Sequence, residues 1–489
     1  MKKLFSFFIL VICLALAFSV AIASGVPGTG WWSAETVQNI GSSQITVQAV
    51  AYEKDTSTTY SSSKLIDPGK NYTFTPNDFS GMASGFQGSA VLSADGPIKA
   101  IGNVTNRPSG DLGISGGQAS GQYQGIDASY VANTVYFPVT KGDYYQNTTS
   151  YYVQNAGTIA ATMTFTFTMK DNSVYNYTTP SAIDPNKMIV VSVFDAPGYS
   201  PTNNDQRLGS AVVSSSQPLA GVVFEHKTSE NPAKFTQAVR GFTTNDFDTK
   251  AYAPAVKNNW YGRFSGIQVQ NVSTIPITIT VTYRGNSGCT GTYTDTQTNI
   301  QPNKSGTFVL WSGSTNFPNS CVGSAEIQTT TPGGQFVAAI NEQDYTPQPT
   351  GQRAARYFAI PNHLATTKLV APTFKDNWYD MVTGFNIQNV GTTTATNVVA
   401  TFECKGAATF TAISIPQTIQ QYKAKLFLQP HNTPGDFTLS NPFSSSGVYC
   451  AVTVTSDQPI VGYANNEVSP SSPSWHEDNY NYEAFNLTP

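Results

Sequence analysis

The sequence predicts an all-β protein, with four tandem immunoglobulin-like β-sandwich modules following a signal peptide. The first observation is a short motif that recurs at spacings of 116, 116 and 118 residues. Its four copies are Gln38-Asn39-Ile40-Gly41, Gln154-Asn155-Ala156-Gly157, Gln270-Asn271-Val272-Ser273 and Gln388-Asn389-Val390-Gly391. The second observation is that apolar and polar residues alternate after each motif, and the third is that turn signals separate short segments. Self-similarity at a fixed period indicates a repeat architecture, and short alternating segments indicate a sandwich.

The repeats are similar enough to set module boundaries. Residues 249–272 and 367–390 are identical at 12 of 24 aligned positions. From the repeated landmarks we predict a leader and four modules. They span residues 1–23 (signal peptide), 24–127 (module 1), 128–244 (module 2), 245–362 (module 3) and 363–489 (module 4).

The first 23 residues are typical of an export signal. Lys2 and Lys3 form a charged start, an apolar run follows, and Ala21-Ile22-Ala23 is a small-x-small cleavage site. A retained membrane helix is the alternative, and the cleavage site argues against it. No later run is long and apolar enough to span a bilayer. We therefore expect a secreted chain, extracellular or at the cell surface, that does not span a membrane once the leader is removed.

The segment after each motif has the period of a half-buried antiparallel strand. In module 2, Met163, Phe165, Phe167 and Met169 alternate with threonines, and module 3 repeats the pattern with Ile277, Ile279, Val281 and Tyr283. We expect the apolar set to enter a core and the threonine set to face water.

Three further landmarks recur in each repeat. A turn follows about thirty residues after the motif, at Asp67-Pro68-Gly69, Asp184-Pro185-Asn186, Gln301-Pro302-Asn303 and near Gln420. A strand then begins at Gly88-Ser89-Ala90, Gly209-Ser210-Ala211, Gly323-Ser324-Ala325 and, more loosely, Cys450-Ala451-Val452. A closing signature ends each module, at Tyr123…Gly125-Ile126, Val239…Gly241-Phe242, Tyr357…Ala359-Ile360 and Tyr482…Ala484-Phe485. The constant spacing to the next module suggests a defined module-to-module geometry.

Four cysteines follow the predicted leader, two in module 3 and two in module 4. Because an exported chain folds in an oxidising compartment, disulfides are the default. We predict Cys289–Cys321 and Cys404–Cys450, each joining the end of one strand to the start of a later one. The entropic model gives each loop about 4 kcal/mol. A zinc site is the alternative, but the sequence has no CxxC and no nearby pair of histidines.

Charge composition excludes nucleic acid as a partner. Without Lys2 and Lys3 the chain has 24 basic and 30 acidic residues, a net charge of −6. Charged residues are 11% of the chain, against roughly 25% in an average soluble domain. No basic patch is present to neutralise phosphates and release counterions.

An aromatic pair precedes each motif and is the best candidate for a contact surface. The pairs are Trp31-Trp32, Tyr144-Tyr145, Trp260-Tyr261 and Trp378-Tyr379. If a pair lies in a strand, one ring faces the core and its neighbour faces out. The outward rings would then cover an edge, or contact a next module, another subunit or a sugar face. In module 1, Trp32 lies six rather than ten residues before Gln38, so we expect a shortened first strand there.

Together, the Gln-Asn-Val-Gly motif, the alternating strand and the Pro-Gly or Pro-Asn turn resemble bacterial adhesion-related immunoglobulin-like modules of the CARDB type. The longer unit is similar to tandem repeats in secreted proteins of filamentous Chloroflexota. The resemblance implies an extracellular, non-catalytic module, and it transfers no ligand and no functional residue.

No catalytic, cofactor or metal site is expected. None of the four histidines, which are His226, His363, His431 and His476, has a counterpart in another repeat. Gly113-Ile114-Ser115-Gly116-Gly117 matches a nucleophile elbow but lies in a Gly-rich linker rather than between a strand and a helix. Asn245-Asp246-Phe247-Asp248 could bind calcium at a joint, although we expect a solvated acidic turn. The tail His476-Glu477-Asp478 is a weaker calcium candidate.

These features predict a structural or adhesive surface protein with no enzymatic activity. Self-association or binding to other surface proteins is the expected partnership, as in a surface layer, sheath, filament or adhesin. A glycan-binding protein that uses the outward rings is the alternative, so polysaccharide is a possible partner. We expect the closing strands near Tyr482 to Phe485 to join neighbouring subunits, in which case deletion of residues 480–489 would impair assembly. A secreted hydrolase would need an acid pair or a triad, and the sequence offers neither.

Overall fold

A computed structural model describes most of the chain after the predicted leader. The described residues are 25–28, 30–106, 119–229, 236–310, 316–344, 353–378, 381–405, 409–427, 447–468 and 479–487. They form strands and single-turn 3₁₀ helices, so the predicted all-β class is confirmed. In this part of the chain no helix has the length and apolar character needed to cross a membrane. The predicted leader lies outside the described residues.

The described residues of the four repeats form 32 strands. Module 1 contains β1 (Trp31–Asn39), β2 (Ile45–Glu53), β3 (Thr59–Ile66), β4 (Asn71–Phe74), β5 (Gly88–Ala94), β6 (Ile98–Asn106) and β7 (Ala119–Gln124). Module 2 contains β8 (Ala132–Lys141), β9 (Asn147–Asn155), β10 (Met163–Met169), β11 (Val174–Thr178), β12 (Met188–Ser192), β13 (Leu208–Lys227) and β14 (Gln237–Arg240). Module 3 contains β15 (Lys250–Trp260), β16 (Arg263–Asn271), β17 (Ile277–Ser287), β18 (Thr292–Ile300), β19 (Ser305–Val309), β20 (Cys321–Thr329), β21 (Phe336–Asp344), β22 (Ala354–Phe358) and β23 (Ile360–Pro361). Module 4 contains β24 (Thr366–Asp376), β25 (Met381–Asn389), β26 (Ala395–Lys405), β27 (Phe410–Ile413), β28 (Gln417–Ile419), β29 (Ala424–Phe427), β30 (Val448–Val468), β31 (Asn479–Glu483) and β32 (Phe485–Asn486).

Single 3₁₀ turns punctuate the strands. They are Pro76–Asp78, Ala128–Tyr130, Val193–Asp195, Asn204–Gln206, Thr244–Asp246 and Asn362–Leu364. Three of them, Ala128–Tyr130, Thr244–Asp246 and Asn362–Leu364, lie in the connections between consecutive modules, directly after the closing signatures.

Module 2 shows how the sequence pattern produces the sandwich. One layer has the strand order β11-β10-β13-β8, and β13 continues past it to pair with β9 and β14. Along β10, Met163, Phe165 and Phe167 are fully buried while the threonines between them are partly exposed. Each buried aromatic side chain contributes roughly 2–3 kcal/mol of transfer free energy. The period-two prediction for this strand is therefore correct.

The asparagine of each repeated motif ties two loops of its own module together. Asn155 Nδ2 donates to the carbonyl oxygens of Ile159 (2.9 Å) and Ile183 (2.7 Å), and its Oδ1 accepts from Gly157 N (2.9 Å). Asn39, Asn271 and Asn389 make the same three bonds in their modules. The side chain is fully buried, where unsatisfied amide groups would be costly. This accounts for an invariant asparagine in all four copies.

The modules close into a ring. The closing strand of each module packs against that of the next, in the cyclic order β7, β14, β22, β31 and back to β7. Module 4 therefore contacts module 1 as well as module 3. The expectation that the strands near Tyr482 to Phe485 are available to join other subunits is wrong. Tyr482 is fully buried, and Gln124 of module 1 donates to the carbonyl of Glu483 (3.4 Å).

A lysine just after each Pro-Gly-type turn marks the four junctions. Lys187 reaches the carbonyl oxygens of Glu53 and Thr56 in module 1, and Lys304 reaches that of Lys170 in module 2 (3.0 Å). Lys423 reaches the carbonyl of Gly285 in module 3. Because each lysine points into the preceding module, the modules are related by an approximate four-fold rotation. Lys70 completes the cycle by binding Glu403 of module 4 (2.6 Å).

The motif glutamine and the Gly-Ser-Ala serine also belong to these junctions. Ser210 Oγ of module 2 donates to the carbonyl of Asn303 in module 3 (2.5 Å), and Gln270 Nε2 donates to the carbonyl of Ala211 (3.4 Å). Ser89 and Ser324 make the corresponding bonds with Asn186 and Tyr422. Residues that the sequence identifies only as members of a repeated motif or as the start of a strand thus also hold neighbouring modules together.

Module 1 differs from the other three. Its strand β1 has nine residues, as β9, β16 and β25 do, so the expected shortening is wrong. The difference lies instead in the strand that precedes it. Strands β8, β15 and β24 pair with β13, β20 and β30 in modules 2 to 4. Among the described residues of module 1, β5 pairs only with β2.

Candidate functional site

The aromatic pairs of modules 2 and 3 lie at the tips of β-hairpins. Tyr144 and Asn147 exchange two backbone hydrogen bonds (2.9 and 3.0 Å), which close a two-residue loop between β8 and β9. Both loop residues, Tyr145 and Gln146, have positive φ (48° and 65°). The loop between β15 and β16 is alike, with φ of 50° at Tyr261 and 80° at Gly262. These angles are those of the turn that matches the twist of a hairpin.

The condition that both residues of a pair lie in a strand is therefore not met in these two modules. The chain reverses at the second aromatic residue, so the two rings do not face opposite sides of a sheet. Instead the first ring is half-buried and packs edge-on against the second. The centroids are 4.7 Å apart for Tyr144 and Tyr145, and 5.0 Å apart for Trp260 and Tyr261. The second ring stays exposed, by 66% at Tyr145 and 79% at Tyr261.

The exposed tyrosines occupy backbone positions that disfavour them. Left-handed conformations suit Gly and Asn, and cost other residues roughly 1 kcal/mol or more. A core contact could offset that cost, but the side chains of Tyr145 and Tyr261 are mostly exposed, and each ring packs on its neighbour in the pair rather than in a core. Strained residues concentrate at functional sites. The two hairpin tips are thus the best candidates for a binding surface among the described residues.

The aromatic pairs of modules 1 and 4 differ in position from those of modules 2 and 3. Trp31 and Trp32 lie within β1, opposite Asn106 and Thr105, and so are not structural equivalents of the hairpin pairs. Trp32 is 37% exposed. Trp378 begins the equivalent hairpin of module 4, where its backbone pairs with Met381, and its ring lies 5.8 Å from that of Tyr449. Tyr379 lies outside the described residues.

Buried charges hold the ring together around its axis. Arg356 of module 3 is fully buried and binds Glu225 of module 2, which also binds Lys141 Nζ at 2.7 Å. Burial opposes ionisation of Glu225, but the charges of Lys141 and Arg356 hold the pKa of its carboxyl below the usual value. Burial lowers the pKa of Lys141. The cluster is a structural joint, since Glu225 binds both Lys141 and Arg356 and so links modules 2 and 3.

The residues that follow the first member of each closing signature contact one another in a closed cycle, formed by Gln124, Arg240, Phe358 and Glu483. Arg240 Nε donates to Gln124 Oε1 (3.3 Å), and its guanidinium lies 4.5 Å from the ring centroid of Phe358. The backbone N–H of Phe358 donates to Glu483 Oε1. Burial raises the pKa of Glu483 to about 7, although the Phe358 N–H favours the ionised form. The sequence did not predict this cycle, because its four members occupy equivalent positions of the repeats but have chemically unrelated side chains.

The three intermodule 3₁₀ turns converge on a cleft of about 420 Å³ lined by Ser129, Tyr130, Thr244, Asn245, Phe247, His363 and Leu364. His363 Nδ1 lies 2.8 Å from Asp248 Oδ2, and Nε2 lies 3.0 Å from the carbonyl oxygen of Asn245. Ser129 Oγ donates to Asp127 Oδ1 (3.0 Å) and not to His363. These contacts join consecutive linkers and assemble no nucleophile–base pair.

The acidic turn considered for calcium is solvated only in part, since Asn245 is exposed and Asp248 is half-buried, whereas Asp246 is withdrawn from water. Asp246 is buried and binds Arg240 through both carboxylate oxygens (2.6 and 2.9 Å), and it also accepts from Thr243 N (2.8 Å). Asp248 binds His363. Burial raises the pKa of Asp248, but hydrogen bonds from His363 outweigh it and hold that pKa below its usual value. The carboxylates are thus already occupied by protein donors rather than available to a cation.

The remaining candidate residues are the four cysteines, the other histidines and the motif at residues 113–117. Disulfides join Cys289 to Cys321 and Cys404 to Cys450, as the spacing predicts. His226 is buried against Ser150 (3.1 Å) and burial lowers its pKa. The motif at residues 113–117 and the histidines at 431 and 476, with the adjacent acidic residues, lie outside the described residues.

Comparison with known proteins adds little to this description. No family model and no curated protein matches the chain. The crystal structure of Thermotoga maritima 1070 covers 23% of this chain and 93% of that one, at 17% identity and a TM-score of 0.18. A family 32 glycoside hydrolase from Bifidobacterium adolescentis covers 90% of this chain and 98% of that one, at 7% identity and a TM-score of 0.14. Neither likeness carries an argument, and the resemblance to CARDB-type modules stays a prediction.

Proposed function

We propose that the protein is a secreted, non-catalytic adhesive protein that binds polysaccharide through its aromatic hairpin tips. The observation that carries the proposal is the pair of exposed tyrosines, Tyr145 and Tyr261, held at strained turn positions. Sugars present flat C–H faces that stack on exposed aromatic rings, and Tyr adds a hydroxyl at the rim of the ring. An exposed ring with a fixed backbone offers such a platform at small entropic cost.

The ring of modules makes this surface polyvalent. Each module contacts the preceding one through an equivalent lysine, so the modules are related by rotation about one axis. Equivalent hairpins therefore lie at the same end of the ring. Contacts that are individually weak then add through effective concentration, provided that the ligand spans more than one tip. A repeating polysaccharide meets this condition and a small free sugar does not. We therefore expect polymers to bind far more tightly than their monomers.

The test compares the secreted protein with its Tyr145→Ala, Tyr261→Ala double variant in pull-downs with insoluble polysaccharides, including bacterial cell-wall material. Ile159→Ala is a matched control, since Ile159 is 62% exposed at the opposite end of module 2. We expect at least a tenfold loss of binding in the double variant and no loss in the control. Unchanged polysaccharide binding with a smaller oligomer would overturn the glycan assignment and show that the tips join subunits.

A further inference from the structure

We propose that the edge of β5 in module 1 is an acceptor site for a β-strand donated by another polypeptide chain. In modules 2 to 4 the equivalent edge is filled by β8, β15 or β24. Among the described residues, no strand fills it in module 1. A sheet edge with its backbone groups unpaired is a template for strand addition. This inference does not depend on what the hairpin tips bind.

Burial shows that the core of module 1 is open at this edge. On β5, Ala90 and Leu92 are only half-buried. Their counterparts on β13, Ala211 and Val213, are completely enclosed beneath β8. The same holds in module 3, where Ala325 and Ile327 are fully buried. An incoming strand would cover apolar surface here that the other modules cover with their own first strand.

Hydrogen-bond partners for the incoming strand are already in place. The last part of each existing first strand donates a backbone N–H to a hydroxyl of its own module: Lys141 N to Thr149 (3.0 Å), Lys257 N to Ser265 (2.9 Å) and Lys375 N to Thr383 (2.9 Å). Module 1 has Ser33 at this position, and it is exposed. A donated strand would therefore find its terminal hydrogen-bond acceptor at Ser33.

The path of the chain argues that the strand comes from elsewhere. Repeat spacing makes Gly25 the counterpart of Lys141, so a strand supplied in cis would bring Gly25 N to Ser33. Instead Gly25 N donates to Ser150 Oγ of module 2 (3.2 Å), and Val26 N donates to Tyr152 OH (2.9 Å). The segment that the spacing aligns with β8 is also the one predicted to leave with the leader. Both observations favour a donor in trans.

The opening along the edge of β5, here called the groove, determines which side chains a donated strand should carry. Its apolar positions match a strand that alternates apolar residues inward, as β8 does with Val135 and Phe137. Glu35 lies where the other modules have Tyr151, Ile267 and Phe385, so the groove contains a carboxylate that the others lack. In module 2, Thr140 contacts Tyr151 OH (2.6 Å). A donor should therefore carry a basic or hydroxyl side chain at the position of Thr140.

The experiment uses the secreted protein and a labelled peptide with the sequence of Ala132–Lys141. We expect one peptide to bind per chain and to raise the Tm of the protein, while a peptide carrying Val135→Asp and Phe137→Asp does neither. A Thr140→Lys peptide should bind at least tenfold more tightly than a Thr140→Asp peptide, and Glu35→Gln in the protein should remove that difference. Absence of peptide binding would overturn the proposal.

Two further measurements separate a donor in trans from a strand in cis. Mass spectrometry of the secreted chain should find an N-terminus at or after Ser24, whereas retention of residues 16–23 with no peptide binding would place the strand in cis and overturn the proposal. A variant with the Ala132–Lys141 sequence inserted before Gly25 should lose peptide binding and melt at a higher temperature. Unchanged peptide binding in this variant would show that the peptide binds elsewhere, and would also overturn the proposal.

Discussion

Lys70 of module 1 and Glu403 of module 4 form an ion pair of 2.6 Å across 333 residues of chain. It is the last of four equivalent lysine contacts, and the one in which the lysine meets a carboxylate rather than carbonyl or amide oxygens. Asn71 Nδ2 adds a hydrogen bond to the carbonyl of Pro372 (2.5 Å) at the same junction. The ring therefore closes by specific contacts between module 1 and module 4.

Ring closure can be tested by zero-length cross-linking. Carbodiimide treatment should join Lys70 to Glu403 within a single chain, because the two charged groups are in contact. The cross-linked peptide is identified by mass spectrometry of the monomer, and Lys70→Arg serves as the control that keeps the charge but cannot form the amide. Small-angle scattering should give a radius of gyration of about 23 Å, as for one compact body of this length. A much longer particle without the cross-link would contradict the ring.

The joint between modules 2 and 3 should be sensitive to loss of Arg356. Replacing Arg356 by Ala leaves Glu225 buried with Lys141 as its remaining charged partner. Breaking such a pair costs roughly 3–5 kcal/mol of unfolding free energy. Urea unfolding measures this, and Lys170→Ala is the control, since Lys170 and Asp205 form an exposed pair worth about 1 kcal/mol or less. Equal effects of the two substitutions would show that the buried cluster does not hold the joint.

Sequence periodicity predicted the strands of this protein but not its assembly. The alternation of Phe165 and Phe167 with threonine depends on local geometry, and it can be read from neighbouring positions. The contact between Lys70 and Glu403 depends on how modules rotate about each other, which no local pattern encodes. A lysine repeated at positions 70, 187, 304 and 423 was the available signal. The hairpin tips could not be recognised from the sequence because Tyr145 and Tyr261 occupy turn positions that normally select Asn or Gly.

Glu483 should make stability depend on pH. Its folded-state pKa is about 7, above the ordinary value, so the folded protein holds a proton that the unfolded chain releases. The associated stability is present below about pH 4.5 and is lost as the pH rises through 7. Glu483→Gln should therefore flatten the fall in Tm between pH 5 and pH 8, recovering up to about 3 kcal/mol at the upper end. A fall in Tm between pH 5 and pH 8 that is equally steep in the wild type and in the variant would contradict this.

The two disulfides should differ in what their removal costs. Cys404 and Cys450 are both buried in the core of module 4 and are directly paired on adjacent strands, whereas Cys289 is only partly buried. Loop closure gives each bond about 4 kcal/mol in the entropic model. Replacing Cys404 and Cys450 by Ala should therefore lower Tm more than replacing Cys289 and Cys321, because it also leaves space in a packed core. Calorimetry of both double variants measures the difference, and equal losses would show that loop closure alone decides it.

The strained hairpin tips predict opposite changes in stability and binding. Tyr261→Asn places a residue that tolerates positive φ where tyrosine is strained, so the unfolding free energy should rise by about 0.5–1 kcal/mol. The same substitution removes the exposed ring, and polysaccharide binding should fall. The variant Ile159→Asn is the control, since a substitution away from the tips should leave polysaccharide binding unchanged. A variant at Tyr261 that loses stability would mean that the tyrosine ring supports the hairpin through its contact with Trp260, and that the strain has a structural rather than a functional reason.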